Sequence, residues 1–252
     1  MKYVEYGKEN KEVIILLHGG GLSWWNYREV AERLQLQYHV ILPILDGHAD
    51  SDRDFTTIEA NAEEIIEFIE EQFGGSVLFI GGLSLGGQVL LEILTKRENI
   101  CRYAFVESAL AVPSKITHAM IAPAFGSCYG LIKHRWFSKL QFQSLRIKPE
   151  LFEEYYRDTG KITKKNMIAF LQENSVYAMK ESLGRCKAKV YVLVGEKESF
   201  VMKKSAKLIQ EKIPRSTIQV LPKLYHGELS INHAKEYVEG LAQLVNLQGD
   251  GD

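Results

Sequence analysis

Ser76-Val77-Leu78-Phe79-Ile80-Gly81-Gly82-Leu83-Ser84-Leu85-Gly86-Gly87-Gln88-Val89-Leu90-Leu91-Glu92-Ile93-Leu94-Thr95 is the stretch whose reading decides the fold. Residues 76–80 are nearly all apolar and do not alternate, as in a strand buried on both faces. Residues 88–94 have the pattern of a helix with one buried face. Between them, Gly82-Leu83-Ser84-Leu85-Gly86 fits a nucleophile elbow, a strand-to-helix turn so sharp that its central residue is held in a strained conformation. Glycines flank that residue because a Cβ at either place meets neighbouring backbone. The turn lifts the Ser84 hydroxyl clear of the sheet edge, beside helix-start N–H groups that can stabilise negative charge. Taken alone, the five residues also fit a Gly-rich turn with a helix-capping serine.

Working outward, Val13–Leu17 is a second wholly apolar strand and runs into His18-Gly19-Gly20-Gly21. Those glycines allow a tight turn whose N–H groups can point at a ligand. A helix is expected over 24–36 and a strand over 40–43, followed by Asp46-Gly47-His48. Residues 58–73 set Ile65, Ile66, Phe68, Ile69 and Phe73 against a solvated face of Glu63, Glu64, Glu67, Glu70 and Glu71. After the elbow, a strand over 103–106 ends at Glu107-Ser108. Strand rhythm resumes at 189–194, ending in Gly195-Glu196-Lys197-Glu198. A helix over 199–213 is closed by Pro214, and a strand over 217–221 precedes His226-Gly227. The last helix is expected over 229–247, with a disordered polar tail at 248–252. From 113 to 183 no strand pattern appears, only helix formers and bulky aromatics. This divides the chain into an α/β core, 1–112 and 184–252, and a helical insertion, 113–183, placed over the sheet's carboxyl edge where ligands bind in open α/β folds.

Composition narrows the function classes. The chain has 252 residues, 46% hydrophobic and 25% charged, which is enough to bury a core without a metal or disulfide staple. A net charge of −1 gives no reason to expect nucleic acid or an anionic membrane as partner. No apolar run long enough to span a bilayer appears, and the start carries no signal-peptide pattern, so the expected location is the cytoplasm. Cys101, Cys128 and Cys186 are odd in number and widely spaced, and are read as small apolar residues rather than a disulfide framework, zinc site or nucleophile.

Strands alternating with helices pair in parallel, with helices on both faces, so the strand carboxyl ends share one edge. A Gly-rich turn, a serine, glutamates and a histidine therefore meet in one crevice. Acyl transfer needs that set. Serine requires a base to take its proton, histidine titrates in the right range, a carboxylate fixes the imidazole tautomer, and two N–H donors meet the oxyanion.

With these motifs in this order, the chain resembles the α/β-hydrolase superfamily over nearly its whole length, in the serine-nucleophile branch with a helical cap. The serine at position 84 separates it from the dehalogenase and epoxide-hydrolase branches, which place an aspartate there. The resemblance implies a mostly parallel, doubly wound sheet, with residues 113–183 as the cap. It implies Ser84 as nucleophile, His226 as base, and an oxyanion hole from the N–H groups of Leu85 and Gly20, with Gly19 or Gly21 as the alternative second donor. The usual acid position, three residues after the strand-ending glycine, holds Glu198 instead of aspartate. Glu196 and Glu107 are the other candidates. Gly19, Gly21, Trp24, Trp25 and Trp136 are expected around the substrate, with one of the adjacent tryptophans packing the first helix.

His18 is expected to brace the Gly-rich loop and His48 the Asp46-Gly47 turn, while His118 and His134 are possible substrate contacts. The expected activity is hydrolysis of a small or medium acyl ester, amide, thioester or lactone, without cofactor or metal, by a monomer or homodimer. A triad-bearing lyase, C–C hydrolase or acyl transferase is the alternative; its carboxylate or cofactor would be met by Lys115, Lys133, Arg135, Lys139, Arg146 or Lys148. A ligand sensor on the same fold is the third reading.

Overall fold

A computed structural model of the protein describes residues 1–246. The final residue expected of the last helix and the polar tail lie outside the described residues. The strands are β1 (Tyr3–Tyr6), β2 (Val13–Leu17), β3 (His39–Pro43), β4 (Val77–Leu83), β5 (Cys101–Glu107), β6 (Lys189–Gly195) and β7 (Ser216–Leu221). They form one sheet in the order β1-β3-β2-β4-β5-β6-β7. All neighbours pair in parallel except β1, which runs antiparallel to β3 at the edge. The fold is therefore the mostly parallel, doubly wound sheet expected.

The core helices are α1 (Arg28–Leu34), α2 (Ile58–Phe73) and α3 (Leu85–Lys96) before the insertion, and α8 (Phe200–Lys212), α9 (Glu228–Asn232) and α10 (Ala234–Asn246) after it. Strand alternation sorts their packing. Ile15, Leu17, Ile41, Ile80, Val106 and Val192 face α2, α3 and α8, while Ile14, Leu16, Val40, Phe79, Phe105 and Tyr191 face α1 and α10. Local signals set the ends: the Thr57 hydroxyl accepts from Ala60 N–H at the start of α2, Gly74 closes it at φ 67°, and Ser199 caps α8. Two expected helices differ in detail. Residues 24–27 form a 3-10 turn before α1, and the last helix breaks at His233 between α9 and α10.

Between β5 and β6 lie α4 (Lys115–Cys128), α5 (Arg135–Ser144), α6 (Phe152–Lys161) and α7 (Lys164–Val176), with no strand among them. Polar bonds fasten this insertion to the core. Gln88 on α3 donates to Asn174 O (3.0 Å), and Asn174 Nδ2 donates to Gln88 Oε1 (2.7 Å). Phe55 N–H donates to Asn166 Oδ1 at 3.1 Å. Cys101 and Cys186 are buried and Cys128 half-buried, all as free thiols. Among the described residues, no helix is long and apolar enough to cross a membrane.

Candidate active site

Strand β4 runs three residues further than its apolar run suggests, so Gly81, Gly82 and Leu83 belong to it and α3 begins at Leu85. The single residue between them, Ser84, sits at φ 53°, ψ −110°, a conformation an L-residue holds only when its surroundings impose it. The flanking glycines show how. A Cβ on Gly82 would lie 2.4 Å from Gly86 O, and one on Gly86 would lie 2.2 Å from Leu17 O. Ser84 N–H donates to Glu107 O at 2.8 Å, which ties the turn to the end of β5.

His226, in the loop after β7, donates from Nδ1 to Glu198 Oε2 at 2.9 Å. The Glu198 side chain is 1% exposed and the ring 46%. The other carboxylate oxygen, Oε1, accepts from Gly195 N–H (2.9 Å) and from the Ser108 hydroxyl (2.7 Å). Burial alone would raise the Glu198 pKa, but His226 and these donors outweigh it and hold the group below its ordinary value. The other two candidate acids lie elsewhere. Glu196 points outward and accepts from Lys223 N–H. Glu107 is fully buried, accepts from Ser230 N–H at 3.3 Å, and is pushed up to about 7 by burial.

The Gly-rich turn is held by two neutral histidines. His18 Nδ1–H donates to Gly19 O (2.9 Å) while its Nε2 accepts from Leu45 N–H (3.1 Å). His48 Nδ1–H donates to Asp46 O (3.0 Å), and its Nε2 accepts from Gly21 N–H (3.1 Å). These tautomers follow from the backbone partners. Both rings are buried, which lowers His18 to about 3 and His48 to about 4. His48 thus braces the Gly-rich turn as well as the Asp46-Gly47 turn. Of the N–H groups considered for an anion, Gly19 is committed to Asn26 Oδ1 (3.3 Å) and Gly21 to His48. Among the described residues, the N–H groups of Gly20 and Leu85 have no partner, and a Cβ on Gly20 would lie 3.5 Å from the Leu85 Cβ.

Gly19, Gly20, Ser84 and His226 line one cavity of about 220 Å³, whose other walls are Leu22, Leu83, Leu145, Ile147, Gly227 and Ile231. With Nδ1 occupied by Glu198, Nε2 is the ring nitrogen left for Ser84; no hydrogen bond within 3.5 Å joins the two, and such contacts often tighten only with substrate bound. The tryptophans expected here are not among the lining residues. Trp25 is 1% exposed and donates to buried Asp158 (3.0 Å), Trp24 lies beneath the Arg28 guanidinium, and Trp136 is 61% exposed on α5. Gly21 is also outside the lining, turned toward α6, where its carbonyl accepts from Thr159. Neither His118 nor His134 reaches the cavity. None of the basic residues of the insertion lines the cavity; Arg146, which falls between Leu145 and Ile147 in sequence, places its guanidinium 3.7 Å over the Tyr225 ring. Reading the sequence missed Asn26, Ser108, Leu145, Ile147 and Ile231; the aliphatic positions carry no signal beyond apolarity.

Comparison with known proteins gives the family and the fold. Residues 8–230 match the family model described as serine aminopeptidase, S33. Lipase 1 of Psychrobacter immobilis is 22% identical over 237 residues, covering 90% of this chain and 74% of that protein. Among solved structures, an esterase from Exiguobacterium antarcticum superposes with a TM-score of 0.81 at 17% identity, covering 97% of this chain and 94% of that one. The enol-lactonase of Burkholderia xenovorans superposes with a TM-score of 0.80 at 13% identity, covering 97% and 96%. The chain belongs to the serine aminopeptidase family of α/β hydrolases and is a hydrolase of that type.

Proposed function

We propose that the protein hydrolyses short acyl esters, or the related amides, thioesters or lactones, through an acyl-enzyme on Ser84. The observation that carries this reading is the Glu198–His226 bond at 2.9 Å, with the ring and Ser84 on the wall of one apolar cavity. Ser84 Oγ attacks the substrate carbonyl as its proton passes to His226 Nε2. Glu198 holds the Nδ1–H and balances the imidazolium charge. The N–H groups of Leu85 and Gly20 receive the oxyanion, in keeping with their having no partner among the described residues. Collapse of the tetrahedral intermediate expels the leaving group, which takes the proton from Nε2. Water then attacks the acyl-enzyme by the same route and frees Ser84.

The insertion over 113–183 serves as the cap, with Leu145 and Ile147 roofing the cavity. A volume of about 220 Å³ lies below the roughly 300–1,000 Å³ usual for drug-sized ligands, which favours short acyl chains. The names of the lipase and esterase relatives support an ester as the bond cleaved. The test is a series of p-nitrophenyl esters of increasing chain length. kcat/KM is expected to be highest for the short chains, Ser84→Ala to lower kcat by roughly 10⁶, and a fluorophosphonate to label Ser84 stoichiometrically. A folded protein that neither turns over any ester nor takes the label would refute the reading.

A further inference from the structure

Ser108, the residue after β5, repeats a feature of Ser84: it is a non-glycine residue held at a left-handed φ of 53°. Its side chain is buried, 3% exposed, and outside the cavity. The Oγ–H donates to Glu198 Oε1 at 2.7 Å, and the same oxygen accepts from Gly227 N–H at 3.3 Å. Gly227 directly follows His226 and opens α9. One hydroxyl therefore ties the loop carrying the carboxylate to the loop carrying the imidazole. Ser108 N–H donates to Leu193 O (2.9 Å), and the preceding carbonyl, Glu107 O, accepts from Ser84 N–H. The two residues at the end of β5 thus touch the nucleophile turn, the acid and the base loop.

A serine placed only to satisfy buried polar groups would not need this backbone. Glycine adopts φ 53° without the steric cost a Cβ carries there, so at this position serine is the more strained residue. What it adds over glycine is the hydroxyl.

We propose that Ser108 is a positioning residue, whose hydroxyl sets the Glu198 carboxylate and the His226 loop in one mutual orientation. This rests on the Ser84–His226–Glu198 reading above. The hydroxyl is one of two donors on Oε1, the other being Gly195 N–H. Without it, Oε1 keeps a single backbone donor and Gly227 N–H loses its acceptor. The carboxylate then samples orientations that do not serve Nδ1.

The experiment measures kcat and KM on p-nitrophenyl butyrate, with melting temperatures, for wild type, Ser84→Ala, Ser108→Gly, Ser108→Ala, Glu198→Ala and the Glu198→Ala/Ser108→Gly pair. Losing a hydrogen bond to a charged group predicts a kcat about 10- to 100-fold lower in both Ser108 variants, with KM within about twofold. Both variants lose the buried hydrogen bonds, and Ser108→Gly, which also relieves the backbone, is expected to melt no lower than Ser108→Ala. In the Glu198→Ala background the same substitution is expected to change kcat by no more than about twofold, because the two side chains act as one unit. Should either variant fold poorly, the other carries the kcat and KM comparison. A Ser108 variant with wild-type kcat overturns the proposal and leaves the hydrolase reading standing, as does a loss that persists undiminished without Glu198. Full activity in Ser84→Ala overturns both.

Discussion

Gly86 is fixed by distance. A Cβ there would meet Leu17 O at 2.2 Å and His18 O at 2.6 Å, both backbone atoms of a strand end that is itself hydrogen-bonded in place. Gly86→Ala must therefore move β2 or α3, and a loss of more than about 3 kcal/mol is expected in urea denaturation. Gly21 is the control. It sits at φ 78° with nothing within 4 Å of a Cβ, so Gly21→Ala bears only backbone strain, roughly 1–2 kcal/mol. Equal losses in the two variants would rule out close approach as the reason for Gly86. This contrast also explains what could be read in the chain. The elbow is legible because its signature residues, Gly82, Ser84 and Gly86, fall within five consecutive positions, although the backbone that bars a Cβ from Gly86 belongs to the distant end of β2. Glu198 and Glu196 are two residues apart in the same loop, and only tertiary burial separates them: one is enclosed with His226, the other lies exposed against Lys223 N–H. Ser108 was not legible, since its partners lie 90 and 119 residues further along the chain.

Helix α7 joins the insertion to the Gly-rich turn. Phe170 on this helix is 3% exposed, stacks on His48 at 4.8 Å between centroids, and meets Phe55 edge-on at 6.2 Å. A Cβ on Gly20 would lie 3.3 Å from its ring. Phe170→Ala removes this contact to α7 and the turn at once, and is expected to cost about 3–5 kcal/mol by chemical denaturation. It also frees Gly20 to move, so kcat on a short ester is expected to fall in the fraction that remains folded. A variant as stable and active as wild type would show that α7 does not hold the turn. The docking of α7 was hard to read because much of it is polar: Asn166 and Asn174 make the bonds that apolar spacing would have announced. Strand β1 escaped notice because it has four residues and a half-exposed edge position. The aromatics of the insertion misled in the other direction, since Trp136 faces solvent while the aliphatic Leu145 and Ile147 line the cavity.

Across the whole molecule, a net charge of −1 leaves little self-repulsion near pH 7, and there a few buried groups shape the stability profile. His18 and His48 are neutral in the fold, at about 3 and about 4, and protonate near 6.5 once unfolded. The stability they lend is present above pH 6.5 and is lost as pH falls from there, through about 4 for His48 and about 3 for His18. Glu198, held below its ordinary value, acts in the same direction at lower pH. Glu107 opposes them. It is enclosed with the hydroxyls of Tyr27 and Tyr237, within the field of Glu198 and His226, and its Oε2 has no hydrogen-bond partner among the described residues. Burial raises it from about 4.5 to about 7, so its contribution is full below pH 4.5 and declines as pH climbs through 7. Glu107→Gln reproduces the protonated acid without the ionisation, and its amide can still accept from Ser230 N–H. The variant is expected to match wild type in melting temperature near pH 4.5. It should become the more stable protein as pH rises to 7, with the gap constant above that and at most about 3.5 kcal/mol, since a tenfold change in proton affinity is worth about 1.4 kcal/mol. Melting curves at pH 4.5, 6, 7 and 8 measure the gap. If Glu107→Gln is no more stable than wild type at pH 8, Glu107 ionises in the fold as easily as in water, and its buried surroundings are not the low-dielectric site that its burial describes.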